Sequence, residues 1–320
     1  MTQNLVTGAD GFVGQHLVAE LLSRGESVVG AVRRLPPDLT TLSEAAAGRV
    51  HWTVLELERR ETVHELVRAN RAARIFHLAG LSSVADSLND PEAPLRVNVI
   101  GTLFLLEELA ALHRDERYDP RILITGSGQV YGAAAGRHLP LTEDCPLEPL
   151  SPYAVSKAAQ ELLGTQFSRA AGLAVVVTRS FNHTGPGQRR SFVAAQLAAR
   201  VNEIRETGGQ GRVRVGNAAV RRDFTDVRDV VRAYVGLSDK GEAGQVYNVC
   251  SGRSYAIGEL LETLAELADV EVEIEEDPNW ERGADVAEML GSYERLEQAT
   301  GWTPEIEIRD SLADLLDRGS

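Results

Sequence analysis

Short apolar runs alternate with amphipathic stretches through the first half of the chain. The runs are rich in valine, isoleucine and leucine, as is typical of strands buried on both faces of a parallel sheet. The stretches between them carry apolar residues at helical spacing, which predicts helices packed on that sheet. The predicted strands cover residues 4–7, 27–32, 50–56, 74–78, 121–127 and 173–179, and the predicted helices 12–24, 93–113 and 153–171.

The alternation changes after residue 180. A Gly/Pro-rich loop at 182–188 and a Gly-rich turn at 208–211 interrupt it, and further elements are predicted at 191–206, 227–237, 245–249, 257–268 and 271–275. We therefore predict an α/β fold, a Rossmann-type doubly wound parallel sheet with a smaller C-terminal α/β substrate-binding lobe. The sheet domain is predicted to span 1–180, with 224–249 returning to it, and the lobe to span 181–223 and 250–320.

Composition excludes several classes of partner. The 320 residues include 47 acidic and 33 basic side chains, a formal net charge of −14, which would repel a nucleic acid backbone. No apolar run approaches the ~20 residues that span a bilayer, and the N-terminus does not resemble a signal peptide. Cys145 and Cys250 lie far apart and match no metal-ligand spacing. These features predict a cytoplasmic protein with reduced thiols, no metal site and no membrane association.

A glycine-rich sequence follows the first predicted strand and opens the first predicted helix. Glycines at this spacing let the backbone turn tightly and approach a diphosphate, while the helix N-terminal amides face its charge. Because the strand and the helix are both predicted, the motif indicates a dinucleotide site. The residues assigned to it are Gly8, Asp10, Gly11, Phe12, Val13 and Gly14.

The end of the second predicted strand bears on the choice of coenzyme. An acidic residue there would bind a free ribose 2′-hydroxyl, but the sequence has Val32, Arg33 and Arg34. A guanidinium suits a 2′-phosphate. The sequence therefore favours NADP(H), with NAD(H) as the alternative.

Tyr153 and Lys157 are four residues apart and therefore share one face of a predicted helix. A lysine near the phenol favours the phenolate, so we expect the tyrosine pKa to fall below its usual value of about 10. Such a tyrosine can exchange a proton with a hydroxyl or carbonyl group near neutral pH. Ser127, at the carboxyl end of its predicted strand, is placed to hydrogen-bond the reacting oxygen.

This ordered set resembles the extended short-chain dehydrogenase/reductase family over almost the whole chain. The resemblance implies that 1–180 is an NAD(P)-binding domain and that Ser127, Tyr153 and Lys157 form the catalytic triad. It further implies coenzyme contacts by Asn98, by the adenine-side pair Glu56 and Leu57, by the nicotinamide-side residues Leu78, Ala79, Gly80 and Ser82, and by His183. The family often has aspartate where this chain has Glu56.

Three later segments, 181–188, 221–230 and 246–252, resemble the branch that contains reductases of GDP-4-keto-6-deoxymannose and the related GDP-mannose 4,6-dehydratases. By that resemblance Asn182, Arg222 and Arg282 contact the nucleotide diphosphate sugar, and Gln129 is also assigned to the substrate. Two arginines facing a diphosphate form strong charge-assisted bonds. The alternative for Arg222 is a surface pair with Asp223 or Asp226. The family commonly has Arg-Pro where this chain has Arg282-Gly283.

One departure bears on the reaction. Dehydratases of this family have a carboxylate just after the Ser/Thr, where this chain has Gly128 and Gln129. Neither can act as a general base at neutral pH, so a dehydratase is disfavoured.

We therefore predict NADPH-dependent reduction of the C4 ketone of a nucleotide-linked 4-keto-6-deoxyhexose, with GDP-4-keto-6-deoxymannose as the first choice. The alternatives are an NAD-dependent nucleotide-sugar 4-epimerase, the same reduction on a dTDP-linked sugar, and a non-catalytic nucleotide sensor. The resemblance also implies a homodimer that packs the helices at 93–113 and 153–171.

Overall fold

A computed structural model describes residues 2–277 and 286–317. The strands are β1 (Gln3–Thr7), β2 (Ser27–Val32), β3 (His51–Val54), β4 (Arg74–His77), β5 (Arg121–Ser127), β6 (Ala174–Ser180), β7 (Asn182–Thr184), β8 (Gln210–Val215), β9 (Arg221–Asp226), β10 (Val246–Val249), β11 (Ser254–Ala256), β12 (Glu271–Glu276) and β13 (Glu288–Met289). The helices are α1 (Phe12–Ser23), α2 (Glu44–Ala47), α3 (Arg60–Asn70), α4 (Val84–Asn89), α5 (Glu92–Pro94), α6 (Gly101–Glu116), α7 (Pro152–Ala171), α8 (Val193–Glu206), α9 (Val227–Lys240), α10 (Ile257–Ala268), α11 (Glu294–Thr300) and α12 (Ile308–Asp317).

The central sheet confirms the predicted Rossmann-type fold. Within the described residues it has seven parallel strands in the order β10-β6-β5-β4-β1-β2-β3. One apolar core lies between the sheet and α1 and α9, and a second lies between the opposite face and α3 and α6. The strand order reverses between β1 and β4, so a crevice opens at their carboxyl ends, where doubly wound folds bind ligands.

A smaller lobe covers that crevice. Its core is formed by α8, α10 and α12 with β8 and β9, and it contains a short sheet of β7, β9, β11 and β13 and the pair β8–β12. Residues 208–211, which the sequence marked only as a turn, lead into β8. The acidic strand β12 pairs with arginines of β8, for example Arg212 Nε to Glu273 Oε2 at 2.8 Å. Its carboxylates are therefore paired on the surface, as expected of a surface strand.

The proposed division between the two units crosses β9. That strand spans residue 224 and pairs with β7, β11 and β13 rather than with the central sheet. The chain returns to the sheet domain with α9, which packs on α1, and with β10, which pairs with β6.

The helix predicted at 93–113 is divided into three parts. Between α5 and α6, residues Leu95–Ile100 form a π-helical turn. The buried Asn98 lies in this turn, and its side chain bonds the backbone of Leu81 and the hydroxyl of Ser156. Wider turns of this kind often occur at functional sites, and apolar periodicity does not reveal them.

No helix among the described residues combines the length and apolarity needed to cross a membrane.

Candidate active site

A cleft of about 2070 Å³ runs along the carboxyl edge of the central sheet, between the sheet domain and the lobe. One end is lined by the glycine-rich turn and the ends of β2 and β3. The middle is lined by Ser127, Tyr153 and Lys157, and the other end by α8, β8 and β9 of the lobe. The predicted site residues from distant parts of the sequence therefore meet in one elongated cavity.

The glycine-rich turn has the shape of a phosphate cradle. Gly8 has φ of +70°, and a Cβ on Gly14 would lie 2.1 Å from the Gly8 carbonyl oxygen. The N-cap of α1 is Gly11, which has no side-chain cap, so the first helical amides face the cleft. Because side chains are excluded here and backbone donors are exposed, the turn fits a dinucleotide diphosphate.

The end of the cleft next to β2 carries opposing charges. Arg33 and Asp38 line it, whereas Arg34 is exposed outside the lining. Burial raises the pKa of Asp10, and the nearby Arg33 and Arg189 oppose that rise. Positive charge from Arg33, directly after β2, and from Arg189, in the lobe, therefore lies at this end of the cleft. Glu56 and Leu57 line the cleft beyond the end of β3, on the predicted adenine side.

Ser127, Tyr153 and Lys157 are all buried at the centre of the cleft. Ser127 lies close enough to Tyr153 to lower the pKa of its phenol, and Ser127 Oγ accepts a hydrogen bond from the Gln129 amide at 3.2 Å. Ser151 caps α7 through the Ala154 amide, and Pro152 occupies its first turn. The capped helix therefore presents Tyr153 and Lys157 on one face, as their spacing predicted.

The structure does not meet the expectation that Lys157 lowers the Tyr153 pKa. Burial raises the pKa of Tyr153, and the nearby Ser127 hydroxyl opposes that rise only in part. The Lys157 ammonium donates instead to the Thr125 carbonyl and to Gln160 Oε1, each at 2.8 Å. Burial also lowers the pKa of Lys157 to about 8. Desolvation is therefore the dominant influence on the pKa of both groups.

The nicotinamide-side loop follows β4. Leu78, Ala79, Gly80 and Ser82 line the cleft. Asn98 does not line the cleft. Its Oδ1 accepts a hydrogen bond from the Leu81 amide at 2.8 Å and thereby holds the loop in place. A Cβ on Gly80 would lie 2.7 Å from Asn98 Oδ1, so a side chain at this position would displace the Asn98 amide that bonds Leu81.

Gln129, Asn182 and Arg222, which the sequence assigned to the substrate, line the cleft, and so does His183, which it assigned to the coenzyme. Arg222 is buried and donates to the carbonyls of Arg221 and Val286, so it is not a surface residue. The His183 ring stacks on Phe12 with a centroid distance of 6.1 Å, which joins the lobe to the glycine-rich turn. Arg282 lies outside the described residues.

Several residues near the site were not identified from sequence. Gln15 Oε1 accepts from the amides of Thr40, Thr41 and Leu42, and thus fixes the segment that follows Arg33 and Arg34. Asp223 accepts hydrogen bonds from Ser251, Gly252 and Gly291 at the far wall. Gln160 contacts Lys157. Polar residues at helix positions facing a core were the only signal for Gln15 and Gln160.

Comparison with known proteins agrees with this geometry. Residues 5–315 match the family described as GDP-mannose 4,6 dehydratase. A GDP-6-deoxy-D-mannose reductase from Pseudomonas aeruginosa is 39% identical, over 99% of this chain and 97% of its own. A UDP-glucose 4-epimerase from Mycolicibacterium smegmatis is 30% identical, over 97% and 96%.

Solved structures give the same result. The structure of RMD from Pseudomonas aeruginosa complexed with NADPH superposes with a TM-score of 0.82 at 38% identity, covering 99% of this chain and 98% of that one. The fold, the glycine-rich turn and the ordered Ser127, Tyr153 and Lys157 are thus accompanied by similarity along the whole sequence. The chain belongs to the GDP-mannose 4,6-dehydratase family.

Proposed function

We propose that this protein is an NADPH-dependent reductase of the C4 ketone of GDP-4-keto-6-deoxymannose. The observation that carries the proposal is the meeting of the buried Ser127, Tyr153 and Lys157 at the centre of one cleft, with an amide rather than a carboxylate at position 129. The GDP-6-deoxy-D-mannose reductase of Pseudomonas aeruginosa is 39% identical to this chain. The similar structure of RMD from the same organism is complexed with NADPH. The epimerases and the dTDP-sugar dehydratase are more distant, at 32% identity or below.

Bound NADPH would supply the hydride in this reaction. Ser127 hydrogen-bonds the substrate ketone oxygen, and Tyr153 donates the proton that the oxygen takes up. Lys157 stabilises the phenolate that remains and would hold the nicotinamide ribose of the coenzyme. Burial of Tyr153 keeps the phenol protonated at neutral pH, which is the form that ketone reduction requires.

The lobe binds the nucleotide sugar. Asn182 and Arg222 line the cleft beyond the catalytic centre, where a diphosphate between sugar and nucleoside would lie. A buried guanidinium is well suited to a diphosphate because the low dielectric strengthens the attraction. Gln129 faces the sugar and cannot remove a proton from C5, which favours reduction over dehydration.

The test is NADPH consumption by the purified protein. We expect rapid loss of absorbance at ~340 nm with GDP-4-keto-6-deoxymannose, and slow loss with the dTDP-linked 4-keto-6-deoxyglucose or with NADH. Reversible interconversion of C4 epimers with no net coenzyme consumption would reject the reductase in favour of the epimerase. Preference for the dTDP-linked sugar would support C4 ketone reduction but would show that the nucleotide of the substrate is dTDP rather than GDP.

Coenzyme preference provides a further prediction. Replacing Arg33 with serine removes the guanidinium that lines the end of the cleft next to β2. One charge-assisted contact with the 2′-phosphate corresponds to about 1.5–3 kcal/mol, so KM for NADPH should rise roughly tenfold to a hundredfold. KM for NADH should change little. Arg34→Ser is the matched control, and an equal effect of the two variants would contradict the assignment to Arg33.

We further propose that the protein is a cytoplasmic homodimer. Large apolar side chains are exposed on adjacent helical segments, namely Leu95 and Ile100 beside α6 and Val155 and Leu162 on α7. Such a patch on a stable protein is normally covered, and a second copy presenting the same helices would cover it symmetrically. Both cysteines are unpaired, consistent with a reducing compartment.

The dimer predicts that Leu162→Glu is monomeric by sedimentation at concentrations where the wild type sediments as a dimer. Leu139→Glu, at an exposed leucine outside those helices, is the control and should remain dimeric. A monomeric wild-type protein at ~10 µM would contradict the proposal.

A further inference from the structure

A series of buried hydrogen bonds leads from Lys157 away from the cleft. The ammonium donates to Gln160 Oε1 at 2.8 Å, and Gln160 Nε2 donates to Thr102 Oγ1 at 2.8 Å. Thr102 Oγ1 lies 2.9 Å from His77 Nε2. The series thus connects α7 to α6 and to the end of β4.

From His77 the series returns to the cleft. His77 Nδ1 lies 2.9 Å from Thr7 Oγ1, which accepts from the Ala79 amide at 3.1 Å. Ala79 belongs to the nicotinamide-side loop. Thr7, His77, Thr102 and Gln160 are each at most 1% exposed. Because solvent does not reach these groups, losing one partner leaves a buried polar atom unsatisfied.

The orientation of Gln160 is determined by its neighbours. Only its oxygen can accept from an ammonium, so its nitrogen must face Thr102. Among the described residues, His77 from β4 interacts electrostatically with Lys157, and Tyr234 from α9 does so with Tyr153. His77 is neutral, because burial and the Lys157 charge lower its pKa to about 3. The ammonium therefore depends on two uncharged acceptors, the Thr125 carbonyl and Gln160.

We propose that Gln160 is a positioning residue of the reaction. Its side-chain oxygen holds the Lys157 ammonium in place, and its nitrogen links that ammonium through Thr102, His77 and Thr7 to the backbone of the coenzyme loop. The lysine and the loop amide are thereby positioned by one buried hydrogen-bond series. This inference rests on the proposed function, in which Lys157 must be charged and correctly placed beside Tyr153.

Two variants of Gln160 separate positioning from packing. Gln160→Met preserves much of the volume but removes the acceptor, so the ammonium loses its proton more readily. We expect kcat to fall about 10–100-fold, KM for the ketosugar to stay within ~2-fold, and the alkaline limb of the kcat profile to move to lower pH. Gln160→Glu adds a carboxylate that stabilises the ammonium and disfavours the phenolate, so its alkaline limb should move to higher pH.

A measurement on the coenzyme-free protein tests the link to the loop without turnover. Thr102→Val interrupts the series beyond Gln160, and we expect amide hydrogen exchange of residues 78–82 to become about tenfold faster. Gln160→Met should have the same effect. Gln298→Met, on α11 and remote from the cleft, is the control and should leave both exchange and kcat unchanged.

Opposite shifts of the alkaline limb in the two Gln160 variants, together with faster exchange of the loop, would support the proposal. Wild-type kcat and exchange in Gln160→Met, or limbs that move in the same direction, would overturn it. If Gln160→Met does not fold, the kcat profile of Gln160→Glu and the amide exchange of Thr102→Val still test the proposal. An inactive wild type would reject the proposed function, whereas the exchange result would still test the link.

Discussion

Replacing Tyr153 with phenylalanine will lower kcat for ketone reduction by about 10³-fold, within the 10²–10⁴ range of a positioned general acid. The ring remains and fills the same space, but the proton donor is lost. Because Tyr153 lies beside Ser127 at the centre of the cleft rather than at the glycine-rich turn, the Kd for NADPH should change by less than ~3-fold. Stopped-flow turnover and coenzyme fluorescence titration measure the two quantities separately.

Tyr118→Phe is the matched control for this variant. The Tyr118 hydroxyl donates to the Ala72 carbonyl at 2.6 Å, outside the cleft lining. Its removal should leave kcat unchanged. A Tyr153→Phe enzyme with wild-type turnover would remove the phenol from the mechanism.

Replacing Gly14 with alanine will weaken NADPH binding by more than ~100-fold, equivalent to about 2.7 kcal/mol. The added Cβ would lie 2.1 Å from the Gly8 carbonyl oxygen and 2.9 Å from the Ala9 Cα. Both are backbone atoms, so the turn must open and the diphosphate cradle is lost. Coenzyme fluorescence titration measures the Kd, and circular dichroism verifies that the variant is folded.

Gly48→Ala provides the comparison for Gly14→Ala. Gly48 has negative φ at the end of α2, and a Cβ there would meet its nearest atom at 3.5 Å, an ordinary contact. Its coenzyme affinity should equal that of the wild type. Comparable Kd values for Gly14→Ala and Gly48→Ala would show that the turn does not hold the coenzyme.

The sheet domain could be predicted from sequence because its signals are local. Strands buried on both faces must be apolar throughout, and the glycines before α1 are required by contacts within a few residues. The spacing of Tyr153 and Lys157 likewise follows from one helix. These features depend on short-range geometry, and the structure places them as expected.

The features that could not be predicted from sequence depend on contacts between distant segments of the chain. The bond from Gln160 to Thr102 joins residues 58 positions apart, and that from Thr7 to His77 joins residues 70 apart. The π-helical turn at Asn98 has the apolar periodicity of an ordinary helix. The Tyr153 pKa was also mispredicted, because helix spacing gives the proximity of Lys157 but not the desolvation of both groups. Such effects emerge only once the core is assembled.

Isotope transfer tests the central claim most directly. The protein would be supplied with GDP-4-keto-6-deoxymannose and with NADPH carrying deuterium at the transferable C4 position, and the product sugar would be examined by NMR. We predict one NADPH consumed for each ketone reduced, with deuterium at C4 of the 6-deoxysugar. Unreduced ketone, or a product without deuterium and with no coenzyme consumed, would contradict the assignment of this cleft to C4 ketone reduction.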